Sequence, residues 1–220
     1  MKRRLITFEG IEGSGKTVVS REAHAALVRA GVSAALVREP GGTAVSEAIR
    51  TVLLDPARTE MAPRAELFLY LAARAQLVSE VIAPALAAGR SVVCDRYMDA
   101  SVAYQGWARG LGEDLVERLN AAAVEGAVPD RTFVLDCPVG EGFARGPEKR
   151  EADGVAVRDR LEREEAFFHE KVREGYLRLA RREPGRIVVI DASRPLGDVL
   201  RAVLGNLEGL FHVSLNTDPI

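Results

Sequence analysis

One run of eight residues constrains this chain more than any other feature. Gly10-Ile11-Glu12-Gly13-Ser14-Gly15-Lys16-Thr17 fits the pattern G-x-x-x-x-G-K-[ST], follows a short apolar run and opens an Ala-rich stretch. At the chain's own residue frequencies such a match arises by chance in roughly 0.2% of sequences. Glycines let backbone N–H groups close around phosphate oxygens, and the helix that follows adds the positive end of its dipole. Lys16 is spaced to bridge the terminal phosphates and the Thr17 hydroxyl to ligate Mg²⁺. The run therefore predicts a strand, a phosphate-binding loop and a helix, with a nucleoside triphosphate as ligand. Only four of the 30 basic residues are lysines, which makes a lysine at this spacing stand out.

The rest of the chain supplies a frame for that loop. Apolar runs at 5–8, 34–37, 91–94, 132–135 and 187–190 are short and continuous, as in strands buried on both faces. Stretches of helical period at 62–88, 113–125, 162–182 and 196–207 separate them. This alternation predicts an α/β domain, a parallel sheet with helices on both faces. A chain of 220 residues, 47% of them hydrophobic, suits one domain over 1–220 that needs no disulfide or metal staple. The segment 140–160 differs: it is rich in Gly and charge, holds Pro147 and lacks an apolar stripe. It reads as a solvated excursion or, from its place in the chain, a lid.

A net charge of −2 argues against a general binder of nucleic acid or of anionic membranes. The basic start Met1-Lys2-Arg3-Arg4 does not lead into a leader's apolar core, and no 18-residue apolar run is visible. Cys94 and Cys137 close apolar runs outside any C-x-x-C pair and read as buried thiols in a reducing compartment. The expected location is the cytoplasm, without nucleic-acid or membrane partners. His24, His169 and His212 show no metal-ligand spacing.

No N-K-x-D base reader and no L-S-G-G-Q signature is present, which leaves the small phosphotransferases and their need for an acceptor site. The run Val92-Val93-Cys94-Asp95-Arg96-Tyr97 ends a strand in a charged pair, at the sheet edge where open α/β sheets bind ligands. Asp95 suits Mg²⁺ or its water, and Arg96 suits a phosphate clamp. Ser101, Tyr104 and Gln105 share a helix face at i, i+3 and i+4, either a substrate face or an ordinary half-exposed one. Tyr70 and Arg74 are i, i+4 in an apolar stretch, so Arg74 either pairs with a carboxylate or faces a cleft. A ring and a guanidinium side by side suit a planar base. These residues leave the acceptor base open, and also whether the chain transfers a phosphoryl group or only binds nucleotide to regulate a partner.

Taken in order, a set of strings resembles the thymidylate kinase family from about residue 4 to residue 207. They are Phe8 through Thr17, Arg38-Glu39-Pro40-Gly41-Gly42-Thr43, Ala72-Ala73-Arg74, Asp95-Arg96-Tyr97, Ala103-Tyr104-Gln105-Gly106, Asp159-Arg160-Leu161-Glu162 and Phe168-His169-Glu170. The resemblance implies a P-loop nucleoside monophosphate kinase fold, with a five-stranded parallel sheet flanked by helices on both faces and a mobile lid at about 140–160. It implies ATP- and Mg²⁺-dependent phosphorylation of dTMP to dTDP, and a homodimer. It would place Glu12 on the sugar 3′-hydroxyl, Arg96 and Arg50 on the acceptor phosphate, and Tyr70 on the thymine face. Arg74 and Ser101 would bond the thymine edge with Gln105 beside them, and Tyr104 would sit against C2′. The loop's variable positions carry no arginine, so catalysis would fall to Lys16, Arg96 and a lid cation, Arg145 or Arg150 before Lys149 and Arg158. Arg160 would stack on adenine as part of the ATP site or hold the lid hinge.

Overall fold

A computed structural model describes residues 3–145 and 159–215. The chain alternates β1 Leu5–Glu9, α1 Lys16–Arg29, β2 Ala34–Arg38, α2 Ala44–Leu54, α3 Pro63–Leu77, α4 Ala83–Ala87 and β3 Ser91–Asp95. It continues through α5 Met98–Ser101, α6 Glu113–Val124, β4 Arg131–Asp136, α7 Val139–Arg145, α8 Ala166–Arg182, β5 Ile187–Asp191 and α9 Leu196–Phe211. The strands form one parallel sheet in the order β2-β3-β1-β4-β5. The expected α/β architecture is the one observed.

Each expected strand runs on to take in the charged residue that closes it: Glu9, Arg38, Asp95, Asp136 and Asp191. Parallel strands end on the same side, so these side chains line one edge of the sheet. Central β1 is buried along its whole length, while the outer strands β2 and β5 bury only part of theirs. One face packs Ile6, Phe8 and Phe133 against Val19 and Leu27 of α1 and Val203, Leu207 and Phe211 of α9. That apolar stripe carries α9 to residue 211, beyond the expected 207. The other face packs Val134 and Ile187 against Val172, Tyr176 and Leu179 of α8. Arg173 fixes α8 to the end of β4 by a bidentate pair with Asp136, at 2.6 and 2.9 Å.

Three local features depart from the sequence reading. The expected helix 62–88 is continuous but opens into a π turn at Val78–Ile82. Pro84 cannot donate to the preceding turn, and its ring would collide with a carbonyl there. By length and composition the stretch Pro63–Ala87, with an 18-residue window of mean hydropathy 1.3, is also apolar enough to cross a membrane, although charged residues interrupt it. Here it packs against α2 and α6 and buries the charged Glu66 and Arg74. Finally, 140–160 does not begin as an irregular excursion: α7 covers Val139–Arg145, its inward side hidden from periodicity by Gly142.

Candidate active site

The loop between β1 and α1 closes on itself and on α7. Gly13 has φ 72°, and a Cβ there would lie 1.8 Å from the Gly142 carbonyl oxygen. A Cβ on Gly142 would lie 2.5 Å from the Glu12 carbonyl oxygen, so loop and helix touch backbone to backbone. Lys16 opens α1 and is buried, its ammonium donating to the Ile11 carbonyl at 2.6 Å. Burial, then the Arg96 charge, push that ammonium down to about 8 against the pull of Glu12, Asp95 and Glu9. The register that pairs Phe8 with Asp95 brings β3 beside the loop, and the Thr17 hydroxyl donates to Asp95 Oδ2 at 2.6 Å. A hydroxyl and a carboxylate are hard oxygen donors that fit Mg²⁺, which keeps most of its ligands as water and phosphate. No cluster of three or more His, Cys, Asp or Glu forms a protein cage for a metal among the described residues.

From this point a cavity of about 310 Å³ runs across the sheet edge. Glu12, Lys16, Thr17 and Asp95 line one part, Arg38, Arg50 and Arg96 another, and Tyr70, Ser101, Tyr104 and Gln105 a third. Arg96 sits at φ 65°, a left-handed conformation costly for a side chain of its size and characteristic of functional sites. It turns the guanidinium back over the loop, 3.1 Å from the Gly10 carbonyl, 3.6 Å from Glu12 Oε2 and 5.3 Å from the centre of the Tyr104 ring. Arg38 and Arg50 both donate to the Pro40 carbonyl at 2.9 Å, which gathers two cations from β2 and α2.

Ser101, Tyr104 and Gln105 do share a face, and it is the cavity face. The helix widens into a π turn over Val102–Ala108, a distortion common at functional sites. Arg74 takes the carboxylate alternative. It is 1% exposed and lies behind the wall, outside the cavity lining. Its Nε and Nη2 meet Glu39 Oε2 at 2.9 and 2.8 Å, Nη1 meets Ser101 Oγ at 3.0 Å and Asn120 Oδ1 at 2.6 Å, and Nη2 meets the Tyr97 carbonyl at 3.0 Å. The guanidinium thus makes four hydrogen bonds and an ion pair within the chain, the carboxylate alternative of the sequence reading. Ser101 accepts from Arg74 and keeps its own proton to donate. Gln105 gives its amide N–H to Glu66 at 2.8 Å and lines the cavity.

Three arginines expected at the donor nucleotide lie elsewhere or outside the described residues. Arg160 donates to the Leu53 carbonyl at 3.0 Å and contacts Glu66 Oε2 at 2.6 Å, an ionic contact and not a well-aimed hydrogen bond. It therefore clamps the turn at Asp159 to α2 and α3. Asp159 and Glu162 brace that turn reciprocally, through Asp159 N–H to Glu162 at 2.9 Å and Leu161 and Glu162 N–H to Asp159 at 3.0 and 2.9 Å. Arg145 is turned from the cavity to the Ala192 and Ser193 carbonyls, at 2.6 and 3.2 Å. Arg150, Lys149, Arg158 and most of the expected lid lie outside the described residues.

Among the lining and supporting residues to which the sequence reading gave no role are Arg38, Glu39, Glu66 and His169. Burial raises Glu66, but Arg109, Gln105 and Arg160 outweigh it and hold the carboxyl below its usual range. His169 is 1% exposed, packed edge-on against Phe143, and lines the cavity from α8.

The family profile for thymidylate kinase matches residues 8–203. The chain belongs to the thymidylate kinase family. Thymidylate kinase of Geobacter sulfurreducens is 50% identical over 188 residues, spanning 86% of this chain and 88% of that one. Thymidylate kinase of Desulfosudis oleivorans is 48% identical over 204 residues, spanning 92% and 95%. The crystal structure of thymidylate kinase from Ehrlichia chaffeensis superposes with a TM-score of 0.74 at 30% identity, covering 94% of this chain and 99% of that one. The five-stranded parallel sheet is thus both observed and shared with a thymidylate kinase.

Proposed function

We infer that the chain transfers the γ-phosphoryl group of ATP to dTMP, giving dTDP and ADP on the route to dTTP. One observation carries this reading: a single cavity is lined by Lys16, Thr17 and Asp95, by the cations Arg38, Arg50 and Arg96, and by Tyr70, Ser101, Tyr104 and Gln105. Donor phosphates, acceptor phosphate and base thereby share one site. The loop residues Gly10 to Thr17 cradle the triphosphate. Thr17 and Asp95 would hold Mg²⁺, which neutralises charge on the phosphates when bound. Arg96, with Arg38 and Arg50, grips the acceptor phosphate, Glu12 receives the sugar hydroxyl, and Tyr104 closes the space where a ribose 2′-hydroxyl would go. Tyr70 stacks on the base. Ser101 donates to a base carbonyl and Gln105 accepts from the ring N–H, a pattern that thymine and uracil complement and cytosine does not. The acceptor phosphate is already a nucleophile, so positioning and charge neutralisation carry most of the rate and no general base is required.

Arg150 remains the proposed lid cation, with Arg145 and Arg160 as comparison positions; a large loss of kcat with unchanged dTMP binding on Ala substitution identifies the one that acts. A homodimer is supported by an exposed apolar face shared by packed helices, Val45, Ala48 and Val52 of α2 with Ala65, Phe68, Ala72 and Ala75 of α3. Phe68→Asp should shift the sedimenting species to a monomer. The free thiols and the use of ATP support the cytoplasm. The reading as a whole is tested by incubating the protein with ATP, Mg²⁺ and a panel of nucleoside monophosphates. It predicts dTDP formation with dUMP as the next acceptor, and fails if dCMP or a ribonucleotide reacts as well as dTMP.

A further inference from the structure

Beneath Arg96 lies a buried carboxylate to which none of the roles above gives a task. Glu9 closes the central strand and is wholly shielded from solvent. Its Oε1 accepts the Tyr97 backbone N–H at 2.7 Å and its Oε2 accepts the Tyr176 hydroxyl at 2.8 Å. Both donors are uncharged, an unusual environment for an interior acid. Burial, then the Asp99 charge, push this carboxyl up to about 8 against the pull of Arg96, whose Nη1 reaches the Tyr176 oxygen at 3.4 Å.

A guanidinium only donates, so the Tyr176 oxygen accepts from Arg96. The phenolic proton is donated in turn to Glu9 Oε2 at 2.8 Å. Three side chains thus form one chain of contacts, from Arg96 through the Tyr176 hydroxyl to Glu9. Arg96 has reason to need it: it stands at a strained φ, and its ion pair with Glu12, at 3.6 Å, is longer than its contacts with the Gly10 carbonyl and Tyr176. The 1% exposed Tyr176 ring is itself fixed edge-on against Tyr104, with centroids 6.3 Å apart.

We propose that Tyr176 and Glu9 are positioning residues that hold the Arg96 guanidinium where it meets the acceptor phosphate. The proposal rests on the reading that Arg96 grips that phosphate. Tyr176→Phe keeps the ring and removes only the relay. Its KM for dTMP should rise about tenfold, with KM for ATP unchanged and kcat reduced less than about threefold. Inhibition by thymidine, which lacks the phosphate, should stay within about twofold of the parent protein. In an Arg96→Lys background the same change should add less than about twofold, because the relay acts through the lost guanidinium.

Several outcomes overturn it. One is a Tyr176→Phe enzyme whose dTMP KM stays near the parent value while Arg96→Lys raises it, which sinks the relay alone. Equal weakening of dTMP and thymidine means general loosening and also sinks it, as does a full tenfold effect in the Arg96→Lys background. An Arg96→Lys enzyme with unaltered dTMP KM removes the reading of Arg96 and the relay with it. Should Phe at 176 prevent folding, Glu9→Met serves instead. Its side chain offers the Tyr176 hydroxyl no oxygen acceptor, so the same phosphate-selective loss is expected and an equal loss with thymidine refutes the relay.

Discussion

Removing Arg74 separates two accounts of the base site. If this guanidinium bonded the base directly, Arg74→Ala would raise KM for dTMP and leave the fold nearly untouched. The structure instead gives it four hydrogen bonds and an ion pair within the chain and leaves the side chain 1% exposed. The substitution strands the Glu39 carboxylate, itself 3% exposed, and strips donors from Ser101, Asn120 and the Tyr97 carbonyl. Breaking a buried pair by deleting one partner costs about 3–5 kcal/mol, a large share of a total stability of about 5–15 kcal/mol. At roughly 2–4 °C per kcal/mol for a chain of this size, the midpoint of thermal unfolding should fall by about 6–20 °C. Differential scanning calorimetry with and without dTMP reads this directly. Replacing the pair together, as Arg74→Met with Glu39→Leu, removes the stranded charge and should recover most of the loss. An Arg74→Ala protein that melts within about 2 °C of the parent while losing dTMP affinity would refute the reasoning and restore Arg74 to the base edge.

Lys16 offers a pH test. Its ammonium, held down to about 8, must regain affinity for its proton when ATP phosphates arrive, so ATP binding near pH 8 should take up protons. Isothermal titration in buffers of different ionisation enthalpy measures the uptake, and kcat/KM for ATP should fall as pH rises past about 8; zero uptake refutes the burial argument. Gly142→Ala should raise KM for ATP severalfold at unchanged KM for dTMP, because its Cβ would sit 2.5 Å from the Glu12 carbonyl of the loop. Tyr104→Ala should admit the ribose form of the acceptor, and no gain in ribonucleotide turnover removes Tyr104 from that role.

The sheet and the loop were legible because their signals are local. Continuous apolar runs mark interior strands wherever the chain goes next, and the glycine-rich loop carries its own geometry. α7 was not legible: Val139 and Phe143 are too few to make a stripe, and Gly142 faces inward only because the loop leaves room for no side chain there. Glu66 and Glu39 escaped for a different reason. Each is an acid whose partners are 35 or more residues away, Arg74 for Glu39 and Gln105, Arg109 and Arg160 for Glu66. No spacing rule reaches across such separations.

The arginines bring this difference to a point. All but four of the 30 basic residues are arginine, and nothing in their local sequence separates a structural fork from a ligand-binding one. The fold sorts them by whether they line the cavity. Arg74, Arg160 and Arg145 lie outside its lining, with donors spent on holding Ser101, the Asp159 turn and the β5–α9 connection. Arg38 and Arg96 also have acceptors within the chain, Glu47 and Pro40 for one and Gly10 and Glu12 for the other, but both line the cavity, at the carboxyl ends of β2 and β3. Strand position is therefore the signal that sequence offers for a cavity-lining arginine in this fold. Applied to β3 it picks out Arg96, and applied with equal weight to β2 it picks out Arg38, which stands in a family string but was given no role of its own.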